Sequence, residues 1–220
     1  MSQAAPLADA HQPAIPRGRG RPRQFDMTQA MAQASALFRT RGYDRVTLQD
    51  LTSAIGINPP SFYAAFGNKA LLFIRIADAY SADFLALLRS AFEEEPSLAN
   101  AMETILLSTA RRFAWQKDDA GQGSWGGCLI LEAACNCSDA GITAHLRKAR
   151  LTFAAALYRG ISRTAPERVV DMTDHVMMLL AGFSAMGRDG MDAERMMRVA
   201  RQALQPLCDS ALRDKGSRYG

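Results

Sequence analysis

The sequence predicts an all-α protein, and three of its features support this fold class. From residue 26 onward, apolar residues recur at spacings of three and four, which is the period of one helix face. Valine and isoleucine are scarce relative to leucine, alanine and methionine, which favours helix over sheet. Small polar residues precede several apolar runs, where the N-cap of a helix is expected. We find no convincing strand pattern.

The composition is that of a globular protein and disfavours several other classes. Of the 220 residues, 48% are hydrophobic and 22% are charged, so the chain can bury a core without disulfides or metals. No run approaches about 18 apolar residues and no apolar signal core opens the chain, which predicts no membrane segment and no secretion. Four cysteines are too few for a disulfide scaffold and fit a cytoplasmic location. Because no phosphate loop, nucleophile elbow or paired acid and base is apparent, we expect no enzyme and no cofactor.

Residues 1–24 are predicted to form a flexible basic arm. The segment has no apolar periodicity, and four of its residues are prolines. Arginines supply most of the net charge of +4, at Arg17, Arg19, Arg21 and Arg23, which indicates a polyanionic partner. Such an arm can enter the minor groove of DNA, where A·T-rich segments concentrate negative potential. A merely solvating tail is the alternative.

Residues 25–70, which we call the head, are predicted to contain three short helices. The first runs from its N-cap Asp26 to just before Gly42. The second starts at Thr47, which has the spacing of a capping box with Asp50, and stops at the next glycine.

The third predicted helix follows after a very short turn. Asn58 is its N-cap, and Pro59 and Pro60 take the first two helical positions, where an amide has no intrahelical partner. Phe62 and Phe66 are four residues apart and should both face inward. Two short helices joined by a glycine-containing turn predict a helix-turn-helix, and any other hairpin of two helices is the alternative.

Residues 71–214, which we call the body, are predicted to form longer helices, and residues 215–220 a polar tail. Pro96 ends one helix, and a glycine-rich loop follows at 116–127. The helices should cover about 69–94, 97–113, 128–134, 138–161, 167–186 and 191–212. We expect the body to bind an effector and to dimerise.

An ordered run of short motifs begins in the arm, crosses the head and ends at the start of the body: Gly20-Arg-Pro-Arg23, Ala36-Leu-Phe-Arg39, Arg41-Gly-Tyr43, Thr47-Leu-Gln-Asp-Leu-Thr52, Ala54-Ile-Gly56, Ser61-Phe-Tyr-Ala-Ala-Phe66, Gly67-Asn-Lys69 and Leu71-Leu72. This run, about a quarter of the chain, resembles the TetR/AcrR family of bacterial transcriptional regulators. The remaining residues match only in being helical. The resemblance implies a homodimer in which a DNA-reading head is joined to a divergent helical body that holds a ligand pocket.

The resemblance also implies roles for individual positions of the head. Thr47 would cap the second helix against a DNA phosphate, and Tyr63 and Lys69 would contact phosphates, which fix register without reading sequence. Asn58 and Ser61 stand where small polar residues open the reading helix.

Two prolines depart from the family's common pattern. Pro59 and Pro60 replace a frequent lysine or glycine, and alanine at Ala64 replaces a frequent histidine. None of the three offers a side-chain donor. We therefore expect base reading to rest on contacts with thymine methyls, on a few polar groups and on DNA shape.

One reading helix covers only a few base pairs, so a palindrome read in successive major grooves needs two heads about 34–36 Å apart. Apolar stripes on the last two helices suit this pairing, with intrachain core as the alternative: Val176, Leu180, Phe183, Met197, Ala200 and Leu204. Other apolar residues are candidates to line the effector pocket: Met102, Leu106, Phe113, Trp125 and Cys128.

The cysteines leave three interpretations open. Cys135 and Cys137 form a C-x-C pair, and His145 lies one helix further on. Two thiolates and an imidazole suit Cu(I) or zinc, and the thiols would also suit a redox switch. Small buried hydrophobes are the plainer interpretation, because free cysteine is among the most buried residue types.

Together these patterns and the family resemblance predict a DNA-binding regulator that is released from a palindromic operator by an unknown small molecule, and we favour a repressor over an activator. The first alternative is a regulator that responds to thiol oxidation or metal. The second is a helical small-molecule-binding or metal-binding protein that does not bind DNA.

Overall fold

The computed structural model describes residues 26–115 and 126–213, and every regular element within them is a helix. The arm and Trp125 lie outside the described residues. The helices are α1 (Met27–Arg41), α2 (Leu48–Ile55), α3 (Pro59–Phe66), α4 (Lys69–Glu94), α5 (Leu98–Phe113), α6 (Leu129–Asn136), α7 (Ala140–Ser162), α8 (Val169–Arg188) and α9 (Ala193–Arg213), with a 3₁₀ turn at Pro166–Arg168. The predicted all-α class is confirmed.

The three helices of the head begin and end where local hydrogen bonding predicts. Asp26 accepts from the backbone N–H groups of Thr28 and Gln29, so it caps α1. Gly42 and Gly56 follow α1 and α2 with φ of 77° and 75°, a region that glycine enters without steric cost.

A compact aromatic core holds the head together. Phe38 of α1 and Phe62 and Phe66 of α3 are all at most 1% exposed. Phe38 also packs edge-on against Phe73 of α4, with ring centroids 5.0 Å apart. Helix α3 therefore packs on the core of the head through the face that carries Phe62 and Phe66, and its other face points away from the core.

Helix α4 connects the head to the body. Its 26 residues extend over about 39 Å. Its first turns contribute Leu72 and Phe73 to the core of the head, and its later turns pack on α7, where the rings of Phe84 and Phe153 lie 4.8 Å apart. Helix α4 therefore belongs to the core of the head and to that of the body.

Close backbone contact joins α5, α6 and α8 in the body. A Cβ atom on Gly187 would lie 1.9 Å from the carbonyl oxygen of Phe113, and one on Gly126 would lie 2.3 Å from that of Gly187. Just beyond, the backbone N–H of Cys128 donates to Ser184 Oγ at 2.9 Å. Glycine at both positions lets the chain entering α6 pass between the other two helices.

Most of the side chains predicted to form the dimer interface lie instead in the core of the single chain. Five of the six are at most 7% exposed: Val176, Leu180, Phe183, Ala200 and Leu204. Met197 is half-buried and its sulfur accepts from Arg111. These five side chains are therefore covered by their own chain, as the intrachain-core alternative expects, and their part in a dimer interface stays a prediction.

Within the described residues, one segment, Pro166–Arg188, is long and apolar enough to cross a membrane by length and composition. It contains α8, which packs against α5 and α7 and buries Met172 and Val176. The core helix of a globular protein has the same composition, and the absence of a membrane segment stays a prediction.

Candidate nucleic-acid interface

The outward face of α3 is exposed to solvent in the head. Tyr63 is 52% exposed, and Pro59, Pro60, Ser61 and Ala64 are exposed as well. Apart from the Tyr63 and Ser61 hydroxyls, these side chains carry no polar group. The face is therefore mostly apolar and carries few hydrogen-bond donors.

Asn58 shapes the start of α3 as predicted. Its Oδ1 accepts from the backbone N–H of Ser61 at 2.9 Å, and the two prolines between them have no N–H to satisfy. The capping oxygen is thus committed within the head. The amide nitrogen is the group by which Asn58 would donate to DNA.

Thr47 and Asp50 form the predicted capping box at the start of α2. The Thr47 hydroxyl donates to Asp50 Oδ2 at 2.6 Å and accepts from the Asp50 N–H at 3.1 Å, and the Thr47 N–H donates to Oδ2 at 2.8 Å. Arg41 donates to the other carboxylate oxygen at 2.8 Å. These donors, first the hydroxyl and then the backbone N–H of Thr47, lower the pKa of Asp50.

Lys69 is bound to the head more closely than the sequence indicates. Its Nζ donates to the carbonyl oxygens of Tyr43 and Val46, at 3.2 and 3.0 Å. It also lies 4.1 Å from the centroid of the Tyr43 ring, within cation–π range. The ammonium therefore fixes the loop between α1 and α2, and these two bonds use two of its three N–H donors.

Two residues of the head that the sequence analysis did not single out lie beside this face. Gln29 and Gln33 of α1 border a groove of about 990 Å³ that Ser61 and Ala64 of α3 also line. Their spacing of four residues on α1 was the available signal, because it places both amides on one face of the helix.

Four of the residues proposed to line an effector pocket are described by the structure, and all four are buried. Met102, Leu106 and Phe113 are at most 1% exposed and are packed in the core of the body. Of the candidates, Cys128 borders a cavity of about 40 Å³ at the junction of head and body, together with residues such as Tyr43 and Cys137. That volume suits about one water molecule, and the effector pocket stays a prediction.

The two cysteines with described side chains are poor thiolates. Burial is the first cause that raises the pKa of each, and for Cys137 the carboxylates of Asp44 and Asp139 raise it further. Because the thiolate is the reactive form, both thiols are held in their less reactive state.

The proposed metal ligands are not assembled among the described side chains. The Cys135 side chain lies outside the described residues, and His145 Nε2 is engaged with Asp78 Oδ1 at 2.6 Å. Among the side chains that the structure describes, no three His, Cys, Asp or Glu residues are grouped to hold a metal ion.

Comparison with known proteins agrees with this geometry. Residues 30–76 match the family described as bacterial regulatory proteins, tetR family. The chain is 33% identical over 191 residues to the HTH-type transcriptional repressor BdcR of Escherichia coli K12, covering 84% of this chain and 90% of BdcR. It is 28% identical over 200 residues to the repressor ComR of the same organism, covering 87% of this chain and 93% of ComR.

A solved structure shares the whole architecture. The TetR-family regulator CifR, in a cysteine-substituted form bound to 26-bp double-stranded operator DNA, superposes with a TM-score of 0.73 at 28% identity, covering 84% of this chain and 98% of that one. The predicted family resemblance is confirmed over most of the chain's length. The protein belongs to the TetR family of bacterial transcriptional regulators, which are DNA-binding proteins and not enzymes.

Proposed function

We propose that this protein is a transcriptional repressor that binds a palindromic operator as a homodimer and leaves it when a small-molecule effector binds. The observation that carries the proposal is the outward face of α3, held by Phe62 and Phe66 from within and presenting Tyr63 to solvent. The capped start of α2 and the ammonium of Lys69, which is bound to the loop before α2, belong to the same head. Repression is supported by the names of BdcR and ComR, and operator binding by the CifR complex.

The exposed side of α8 is the proposed dimer surface. Met178 is 67% exposed, Val170 is 58% exposed and Met186 is 41% exposed, so three large apolar side chains of this helix meet solvent in the single chain. Two copies related by a two-fold axis would cover this surface with its own equivalent. Met178→Asp should then yield monomers in sedimentation, whereas Leu151→Asp, at a 63% exposed position on α7, should leave the dimer intact.

Release by an effector would follow from a population shift. A ligand that binds better to one arrangement of α4 in the body favours the head spacing of that arrangement. Two heads that no longer match successive major grooves lose the operator. An effector with equal affinity for both arrangements changes nothing, so operator affinity measured with and without a bound effector tests this step.

Thiol or metal sensing is the second candidate. One observation favours it, since Cys128 and Cys137 border the same cavity between head and body. The raised pKa of both thiols weighs against it. Unchanged operator affinity after treatment with zinc or with a hydroperoxide would exclude it.

The experiment that tests the main proposal starts with the selection of bound fragments from genomic DNA and a gel-shift titration over salt. A repressor should show a steep fall of affinity with salt, because several phosphates release counterions.

Tyr63→Ala should weaken binding to all duplexes, whereas Tyr158→Ala, at a 46% exposed tyrosine on α7, should not. Deletion of residues 1–23 should weaken A·T-flanked sites most. Failure of the full-length dimer to bind any duplex would overturn the proposal.

A further inference from the structure

A groove runs along the head beside the reading helix. It lies between α1, the end of α2 and α3, and its volume is about 990 Å³. Gln29 and Gln33 form the α1 side, and Ser61 and Ala64 form the α3 side. The groove is therefore continuous with the outward face of α3.

The walls of this groove carry uncharged donors. Gln29 is exposed and Gln33 is half-buried, and each side-chain amide has two N–H donors and one acceptor oxygen. The one acidic residue of the lining, Asp26, accepts through Oδ1 from the backbone N–H groups of Thr28 and Gln29, at 2.9 and 3.2 Å. The groove thus combines polar donors with small apolar residues such as Ala54 and Ala64.

We propose that this groove is a second DNA contact, in which Gln29 and Gln33 donate to phosphate oxygens of the strand that borders the major groove read by α3. The inference rests on the proposed function, because it takes α3 as the reading helix. A duplex seated on Tyr63 and Ala64 also meets the groove, since Ala64 belongs to both surfaces. The α3 face itself has few donors, so these amides would supply contacts that fix the register of the head.

An uncharged contact has a signature that distinguishes it from the arm and from Lys69. A neutral amide neutralises no phosphate and releases no counterion, so its removal lowers affinity without changing the slope of affinity against salt. Loss of an arginine or lysine contact lowers both. A residue with only a structural role would not produce protection of particular phosphates.

The experiment uses the full-length dimer and the fragment that it selects from genomic DNA. Gln29→Ala and Gln33→Ala should each weaken binding about 3- to 10-fold, the effect of one lost hydrogen bond. The salt slope should stay that of the unsubstituted protein. Ethylation of particular phosphates in each half-site should weaken binding of the unsubstituted protein. The same ethylation should have no further effect on binding of the double variant. Gln205→Ala, at an exposed position on α9, is the matched control and should leave binding unchanged.

Each result decides the question. If the double variant binds as tightly as the unsubstituted protein, or if its salt slope is reduced, the inference is overturned while the proposed function stays intact. Failure of the unsubstituted protein to bind any duplex would instead remove the proposed function. Because Gln29 is exposed, its substitution keeps the test valid even where Gln33→Ala alters the thermal unfolding of the head.

Discussion

Ser138 donates two hydrogen bonds to the carboxylate of Asp44 across the junction of head and body. Its backbone N–H lies 2.9 Å from Oδ2, and its hydroxyl lies 3.0 Å from Oδ1. Asp44 belongs to the loop between α1 and α2, and Ser138 stands two residues before α7. This pair joins the loop between α1 and α2 of the head to the start of a body helix. It lies next to the cavity that Cys137 borders.

The Asp44–Ser138 pair should behave as one unit in a double-mutant cycle. Ser138→Ala removes the hydroxyl bond and keeps the backbone bond, whereas Asp44→Ala removes both. Because both residues are exposed, we expect the free energy of unfolding to fall by about 0.5 kcal/mol and about 1 kcal/mol, respectively. The double variant should match Asp44→Ala in urea denaturation. Full additivity of the two losses would show that the residues act independently.

The capping box should make the stability of the head depend on pH at the acid end. The donors from Thr47 lower the pKa of Asp50 in the folded chain below its ordinary value of about 4. The carboxylate therefore stabilises the fold above pH about 4, and this contribution is lost as the pH falls through the folded pKa. Asp50→Asn should reduce the free energy of unfolding near pH 7, with a difference that shrinks below pH about 4. An NMR titration of the Asp50 carboxyl gives the folded pKa directly, and an ordinary value there would contradict the argument.

The helices and caps of the head could be predicted because their signals are local. Asp26, Thr47 and Asn58 each accept from a backbone N–H two or three residues later, so spacing alone identifies them. The inward direction of Phe62 and Phe66 follows from helical spacing in the same way. These are the elements that present the outward face of α3.

The packing partners of the apolar stripes in the body could not be predicted, because apolar periodicity does not identify the surface that a stripe faces. Val176 and Leu180 have the same spacing whether they face their own chain or a second copy, and here they face their own chain. Phe113 and Met102 look like pocket residues in sequence but fill the core. The Ser138–Asp44 pair joins residues 94 positions apart, which no local pattern records.

The thiol of Cys128 should react slowly in the native protein. Its side chain is 2% exposed, and burial raises its pKa, so little thiolate is present near neutral pH. Iodoacetamide labelling followed by peptide mass spectrometry should show Cys128 labelled far more slowly than in urea. Cys137, which is half-buried, should be intermediate. Rapid labelling of Cys128 at pH 7 would contradict this and would strengthen the thiol-sensing alternative.

Lys69 should contribute both to the stability of the head and to DNA binding. Lys69→Met keeps the aliphatic stem but removes the ammonium that binds the carbonyl oxygens of Tyr43 and Val46. Since hydrogen bonds from a charged donor contribute about 1.5–3 kcal/mol, we expect urea denaturation to show a loss of unfolding free energy near the lower value at this half-buried site.

If the remaining N–H donor of Lys69 meets a phosphate, the slope of log affinity against log salt should fall by about 1 in Lys69→Met. Tyr63→Phe removes a neutral donor and should leave that slope unchanged. Unaltered unfolding of Lys69→Met would contradict the anchoring of the loop, and an unaltered slope would contradict the phosphate contact, so the two roles are tested separately.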